Sequence, residues 1–190
     1  MRMLLIYTLV LPERRNSLMY RLKWLVPAVA LSVLGLYSFA AEEKGKEAEK
    51  QALAKDVGSA KVSLEKGLSA GEAQGKPISA KFEIEEGKFQ LSVYTAKAGN
   101  FYEVIVDHQT GKVSKTEPIT SGDDLTAAKA QNEAMSKSKT SLHSAVGQAL
   151  KANKGYRAVS VIPSVEGGQS TAEVTLVKGK DWKTVKEKLD

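Results

Sequence analysis

Two alternating apolar runs that meet at a glycine constrain this chain more than any other feature. Ile78, Ala80, Phe82 and Ile84 alternate with polar residues, Gly87 follows, and Phe89, Leu91 and Val93 resume the alternation. A period of two places each set on one side of an extended strand, and the glycine between them predicts a hairpin. Tyr102, Val104 and Val106 alternate next, and Val113 opens a short strand that Pro118 is expected to stop. Later, YRAVSVI (156–162), TAEVTLV (171–177) and DWKTVKEKL (181–189) take the same parts. Glu166-Gly167-Gly168 and Lys178-Gly179-Lys180 are their turns. Strands with one apolar side need a second layer to lie against.

Two helices are predicted to supply it. Ser63 and Ser141 each precede a short amphipathic stretch and are placed to cap it, a hydroxyl accepting a backbone N–H two or three residues on. Leu142, Val146, Ala149 and Leu150 fall on one helical face, and Gly155 can end that helix in a left-handed turn. The earlier stripe is thinner: Leu64, Leu68 and Ala73, with Gly67 and Gly71 lowering helix propensity and Gly75 matching Gly155. Helix followed by antiparallel meander therefore occurs twice, which predicts an α+β fold of two tandem units, 62–120 and 140–190. A connecting helix over 121–139 joins them, with Asp123 or Asp124 as its expected cap. Residues 41–61 read as a charged lead-in, EEKGKEAEK being weakly ordered at most, followed by a weak helix.

The N-terminus reads differently. MYRLK (19–23) is a basic head, WLVPAVALSVLGLY (24–37) an uncharged apolar run, and SFA-A (38–41) a small-residue cleavage pattern. Together they predict a secretory signal peptide over residues 1–40, cut between Ala40 and Ala41, with translation from Met1 or from Met19. An uncleaved anchor is the competing reading, weakened by Pro27 and Gly35. The chain carries 28 basic and 22 acidic side chains, but Arg2, Arg14, Arg15, Arg21 and Lys23 face only Glu13 within residues 1–40. The rest is nearly balanced, which argues against nucleic acid as a partner. Zero cysteines exclude disulfides, thiolate metal sites, cysteine nucleophiles and a lipid-modified cysteine. A periplasmic or secreted location follows from the signal, with no membrane association after cleavage.

FYEVIVDHQTGKV (101–113) poses the functional question, since Asp107-His108 could be a site or a corner. Asp107 can accept a hydrogen bond from a backbone N–H two residues ahead, and Gly111 can supply the positive φ such loops need. His108 is expected at the exposed tip, without further metal ligands. The segment reads as a corner. The pattern Tyr-Glu-Val-x-Val-Asp-x-x-Thr-Gly-Lys-Val, carried by Tyr102, Asp107, Thr110 and Gly111, resembles the PepSY domain of peptidase propeptides. The likeness spans roughly residues 62–117. Residues 140–190 resemble the family in their helix and first two strands, but end in WKTVKEKLD with no Thr-Gly corner. The resemblance implies an exported module that inhibits or regulates peptidases, and it brings no catalytic residues.

Catalytic and cofactor signatures are missing from the sequence. His108 and His143 lie in different units, and His143 is expected on an exposed helix face. Glu83 and Glu85 alternate with Phe82 and Ile84 and are expected to point to solvent, not to converge as an acid–base pair. No nucleophile elbow, phosphate loop or dinucleotide fingerprint occurs. The expected function is therefore non-enzymatic, with no metal and no cofactor: binding of a peptidase or another envelope protein, by strand addition to an edge left open in the second unit. A structural or scaffolding envelope protein is the alternative.

Overall fold

Seven strands form one antiparallel sheet in the computed structural model, which describes residues 36–190, with side chains from residue 45 onward. Each hairpin follows from its turn. Strands β1 (Lys76–Glu85) and β2 (Lys88–Lys97) join at Glu86-Gly87, and β3 (Asn100–Val106) follows β2 through Ala98-Gly99. β5 (Arg157–Glu166) and β6 (Gln169–Lys178) join at Gly167-Gly168. In all three turns both central residues have positive φ, the two-residue geometry whose twist matches that of the flanking strands. At Gly179-Lys180, before β7 (Asp181–Lys188), only the glycine does, the mirror-image turn with glycine in first place. β4 (Val113–Ile119) completes the set.

The strand order is β4-β3-β2-β1-β5-β6-β7, so the first strand after each of two short helices lies at the centre. β1 and β5 pair antiparallel at Ala80–Val161 and Lys81–Ser160. Ala80, Phe82, Leu91, Val93, Val104, Val161, Val174 and Leu176 are all buried. Full burial of a valine, leucine or phenylalanine contributes about 1.5–3 kcal/mol, so this shared core dominates what holds the fold. Ala40–Asp190 makes one compact unit.

Four helices accompany the sheet among the described residues: α1 (Leu36–Ser59), α2 (Leu64–Glu72), α3 (Gly122–Lys137) and α4 (Leu142–Ala152). Ser63 and Ser141 cap α2 and α4 as expected, accepting from the N–H of Lys66 and of Ser144. α4 buries Leu142, Ala145, Val146 and Ala149. α2 approaches the sheet through glycine: a Cβ on Gly67 would stand 2.5 Å from Leu91 Cδ2, and one on Gly71 2.5 Å from Val93 Cγ1. The two residues that looked like helix weaknesses are the contact face. α3 lies against β5, β1 and β6. Its Gln131 Oε1 accepts from Ser79 Oγ at 2.7 Å. Ser79 pairs with Tyr94, so it faces away from Val93 and from α2.

Several expectations need correction. Residues 42–50 are helical backbone within α1, whose last turns bury Ala54 and Val57. β4 runs through Pro118, which is tolerated because β4 is an edge strand that needs no donor on its outer side. α3 begins after Ser121, which makes no side-chain cap, and Asp123 and Asp124 sit in its first turn, where the helix dipole favours acid. Ala73 is exposed. Gly75 is not a left-handed residue; its backbone lies so close to Ala96 that a Cβ would meet the carbonyl oxygen at 2.8 Å. Gly155, with φ of 85°, does take the left-handed turn. The basic head and most of the predicted signal segment lie outside the described residues.

Candidate functional site

The DHQTG corner is built around one carboxylate. Asp107 Oδ1 accepts from Gln109 N at 3.0 Å, Thr110 N at 2.7 Å and Thr110 Oγ1 at 2.9 Å. These bonds, the Thr110 N–H first, hold its carboxyl below the usual range. Gly111, with φ of 77°, returns its N–H to Asp107 O, and Asp107 N donates to Lys112 O. Asp107, Thr110 and Gly111 thus meet in one turn, whereas Tyr102 stands up the strand between its partners Thr95 and Pro118.

His108 is not an exposed tip. It is half-buried with its ring edge-on to Phe89, centroids 4.7 Å apart. Its carbonyl accepts from Lys61 N and Val62 N, both at 3.1 Å. Gln109 Nε2 reaches Ser59 O, and from the other half of the sheet Arg157 Nη2 donates to Ala60 O at 2.9 Å. The corner is a latch that pins the segment between α1 and α2. The sequence missed this because the partner lies about fifty residues upstream.

An acidic group on the sheet face away from α2 was also missed. Glu83, Glu85 and Glu103 bring carboxylate oxygens within 4.8 Å of one another. Glu103 is buried, and that burial raises its pKa, opposed by a hydrogen bond from Ser92 and reinforced by Glu85 and Glu83. Tyr94 OH donates to Glu103 Oε1 at 3.3 Å, and its own pKa is pushed up by burial and by the surrounding carboxylates. Gln90 Nε2 donates to Glu85 at 2.7 Å, and Lys81 Nζ sits 2.6 Å from Glu83 Oε2. Glu83 and Glu85 therefore do not simply point to solvent. The signal was present: the two-residue turn at Ala98-Gly99 places Tyr94 opposite Glu103. Three carboxylates could in principle ligate a hard cation, but the Lys81 ammonium already supplies positive charge there.

Glu103 gives a pH prediction. A folded-state pKa above the unfolded value means that the fold prefers the protonated form. Its contribution is fully present below the unfolded pKa and is lost as pH rises through the folded one. Glu103→Gln is expected to flatten that fall and to raise the urea midpoint near pH 7. A lower midpoint near pH 7 would mean that the ionised carboxylate is the stabilising form.

His143 is likewise not on a free helix face. Its Nε2 lies 2.8 Å from Ser69 Oγ and ties α4 to α2. Beside it a cavity of about 250 Å³ is lined by Leu68, Glu72, Lys76, Met135, Leu142 and His143, among others. Lys76 Nζ is held there by Met135 O at 2.9 Å.

The two sheet edges differ. β4 carries Pro118 and an irregular register at Ile105/Val106, both of which discourage an added strand. β7 pairs regularly with β6 from Lys178–Asp181 to Thr171–Lys188. Its two-residue turn makes Lys178–Asp181 a hydrogen-bonded pair, so Asp181, Lys183, Val185 and Glu187 turn their backbone groups to β6. Leu189 N, donating to Ser170 O, keeps the same phase. Trp182, Thr184, Lys186 and Lys188 therefore turn theirs outward, a continuous regular edge.

No family model matches the chain, and no curated protein does. Among solved structures it is similar to the crystal structure of a candidate lipoprotein from Clostridium difficile 630, with 16% identity and a TM-score of 0.37. That similarity covers 60% of this chain and 75% of the other. The chain is an α+β protein with a seven-stranded antiparallel sheet. Among the described residues no helix is long and apolar enough to cross a membrane.

Proposed function

We propose that this protein is a non-catalytic, exported module that holds an extended segment of an envelope protein along β7, a peptidase being the partner class that the PepSY resemblance implies. In this reading residues 62–120 and 140–190 are tandem PepSY-like units, with four strands in the first and three in the second among the described residues. The observation that carries the proposal is the outward-facing backbone of Trp182, Thr184, Lys186 and Lys188. An added strand there gains main-chain hydrogen bonds, and alternate side chains give selectivity. The two histidines fit a binding role, since each is engaged in packing: His108 on Phe89 and His143 with Ser69.

Thr184→Pro tests it, because the exchange removes an outward N–H and leaves the β6 ladder intact. Retention of peptidases and other envelope proteins on the immobilised protein is expected to fall at least several-fold, with circular dichroism unchanged. Equal retention by the folded variant would rule out the edge mechanism. Hydrolytic turnover by the pure protein that disappears in His143→Ala would replace the reading with a Ser69–His143 hydrolase.

A further inference from the structure

We infer that β7 is self-complementary and that its occupant in the absence of another partner is β7 of a second copy, paired antiparallel about a twofold axis at Val185. The inference rests on the open edge just described and names one occupant for it.

The hydrogen-bond phase limits the arrangement. Only residues that turn their backbone outward can exchange ladder bonds, so Trp182, Thr184, Lys186 and Lys188 must stand opposite members of the same set. Four twofold registers then overlap by several residues, with axes at Lys183, Thr184, Val185 or Lys186. An axis at Lys183 puts that lysine against its own copy, and one at Lys186 does the same there. An axis at Thr184 sets Asp181 against Glu187 twice. Like charges directly opposite are destabilising.

The axis at Val185 avoids all three conflicts. Lys183 then faces Glu187 of the second copy, and the symmetry repeats the pair. Trp182 faces Lys188, within range of a cation–π contact, and Thr184 faces Lys186. Val185 meets itself in a non-hydrogen-bonded pair, where side chains come closest. Val185 is half-buried and packs on the core of its own chain beside Val174, so the contact continues the existing apolar layer. Lys186 lies only diagonally across from its own copy, farther away than in a directly opposed pair, and Glu166 stands 2.7 Å from each. Lys183, now donating to Asn153 Oδ1 at 2.6 Å, would exchange that bond for the carboxylate.

The absence of cysteine makes a direct test available. Val185→Cys is expected to form a disulfide-linked dimer under mild oxidation, whereas Thr184→Cys forms no disulfide-linked dimer. Light scattering on the cysteine-free protein at high micromolar concentration should give twice the chain mass. Lys183→Glu should return it to monomer, and Lys183→Glu with Glu187→Lys should restore the dimer. Cross-linking by Thr184→Cys in place of Val185→Cys would overturn the register. A monomeric parent protein whose Val185→Cys variant does not cross-link would overturn self-pairing itself. In that last case, partner retention that Thr184→Pro still abolishes would leave the open-edge reading standing, so the two failures are separable.

Discussion

Gly71→Ala is expected to destabilise the protein by about 1–3 kcal/mol, even though alanine is the better helix former by about 1 kcal/mol. The added Cβ would sit 2.5 Å from Val93 Cγ1 and 3.0 Å from Val93 Cβ. Val93 is fully buried in the middle of β2 and has no free direction in which to retreat. Either α2 lifts off the sheet or the sheet deforms, and both outweigh the propensity gain. Gly147→Ala supplies the opposite sign. Gly147 lies inside α4, exposed, with nothing within 4 Å of its would-be Cβ. There only the propensity term acts, and a gain of up to about 1 kcal/mol is expected. Urea melts of the two variants side by side decide the matter. A neutral Gly71→Ala would mean that α2 is not held closely by the sheet.

Leu189→Ala is expected to cost about 2–5 kcal/mol, the range for emptying a fully buried leucine site. Leu189 has no exposed surface and lies one residue from the end of the sequence. Its N–H donates to Ser170 O, and its carbonyl accepts from Lys139 N at 2.7 Å, Thr140 N at 2.9 Å and Ser138 Oγ at 3.1 Å. The residue ties the end of β7 to the segment between α3 and α4. Removing residues 181–190 would therefore unfold this half of the sheet, so that truncation cannot serve as a test of partner binding. Denaturant melts of Leu189→Ala measure the anchor. A loss below about 1 kcal/mol would mean that the site collapses around the smaller side chain.

Local signals are legible in this sequence and non-local ones are not. Ile78 to Ile84 and Phe89 to Val93 alternate so regularly around Glu86-Gly87 that the hairpin and its register are visible in the sequence itself. Ser63 and Ser141 announce their helices for the same reason, since a cap acts within three residues. Nothing comparable announces the β1–β5 junction, because neither strand carries a mark naming its distant neighbour. The same holds for His108. Its chemistry reads as that of a loop tip, and only the packing of Lys61-Val62 beneath it makes the corner a latch. Helix propensity makes Gly67 and Gly71 look like weaknesses, whereas their value lies in what they leave empty. Glu83 and Glu103 were legible one hairpin at a time, but their convergence needed three strands in register.

The junction of β1 with β5 also bears on how the chain acquires its structure. Every other strand pair links neighbours along the sequence, so its ends meet after closing a short loop. Ala80 must find Val161, and Ser69 its partner His143 at 74 positions' separation, across a far longer loop. Closing such a loop costs entropy before any contact repays it. The hairpins on either side are therefore expected to form early, and the central zipper late. Until it closes, β1 and β5 each present a bare apolar edge, and the interval before closure is when two unfinished chains would exchange halves.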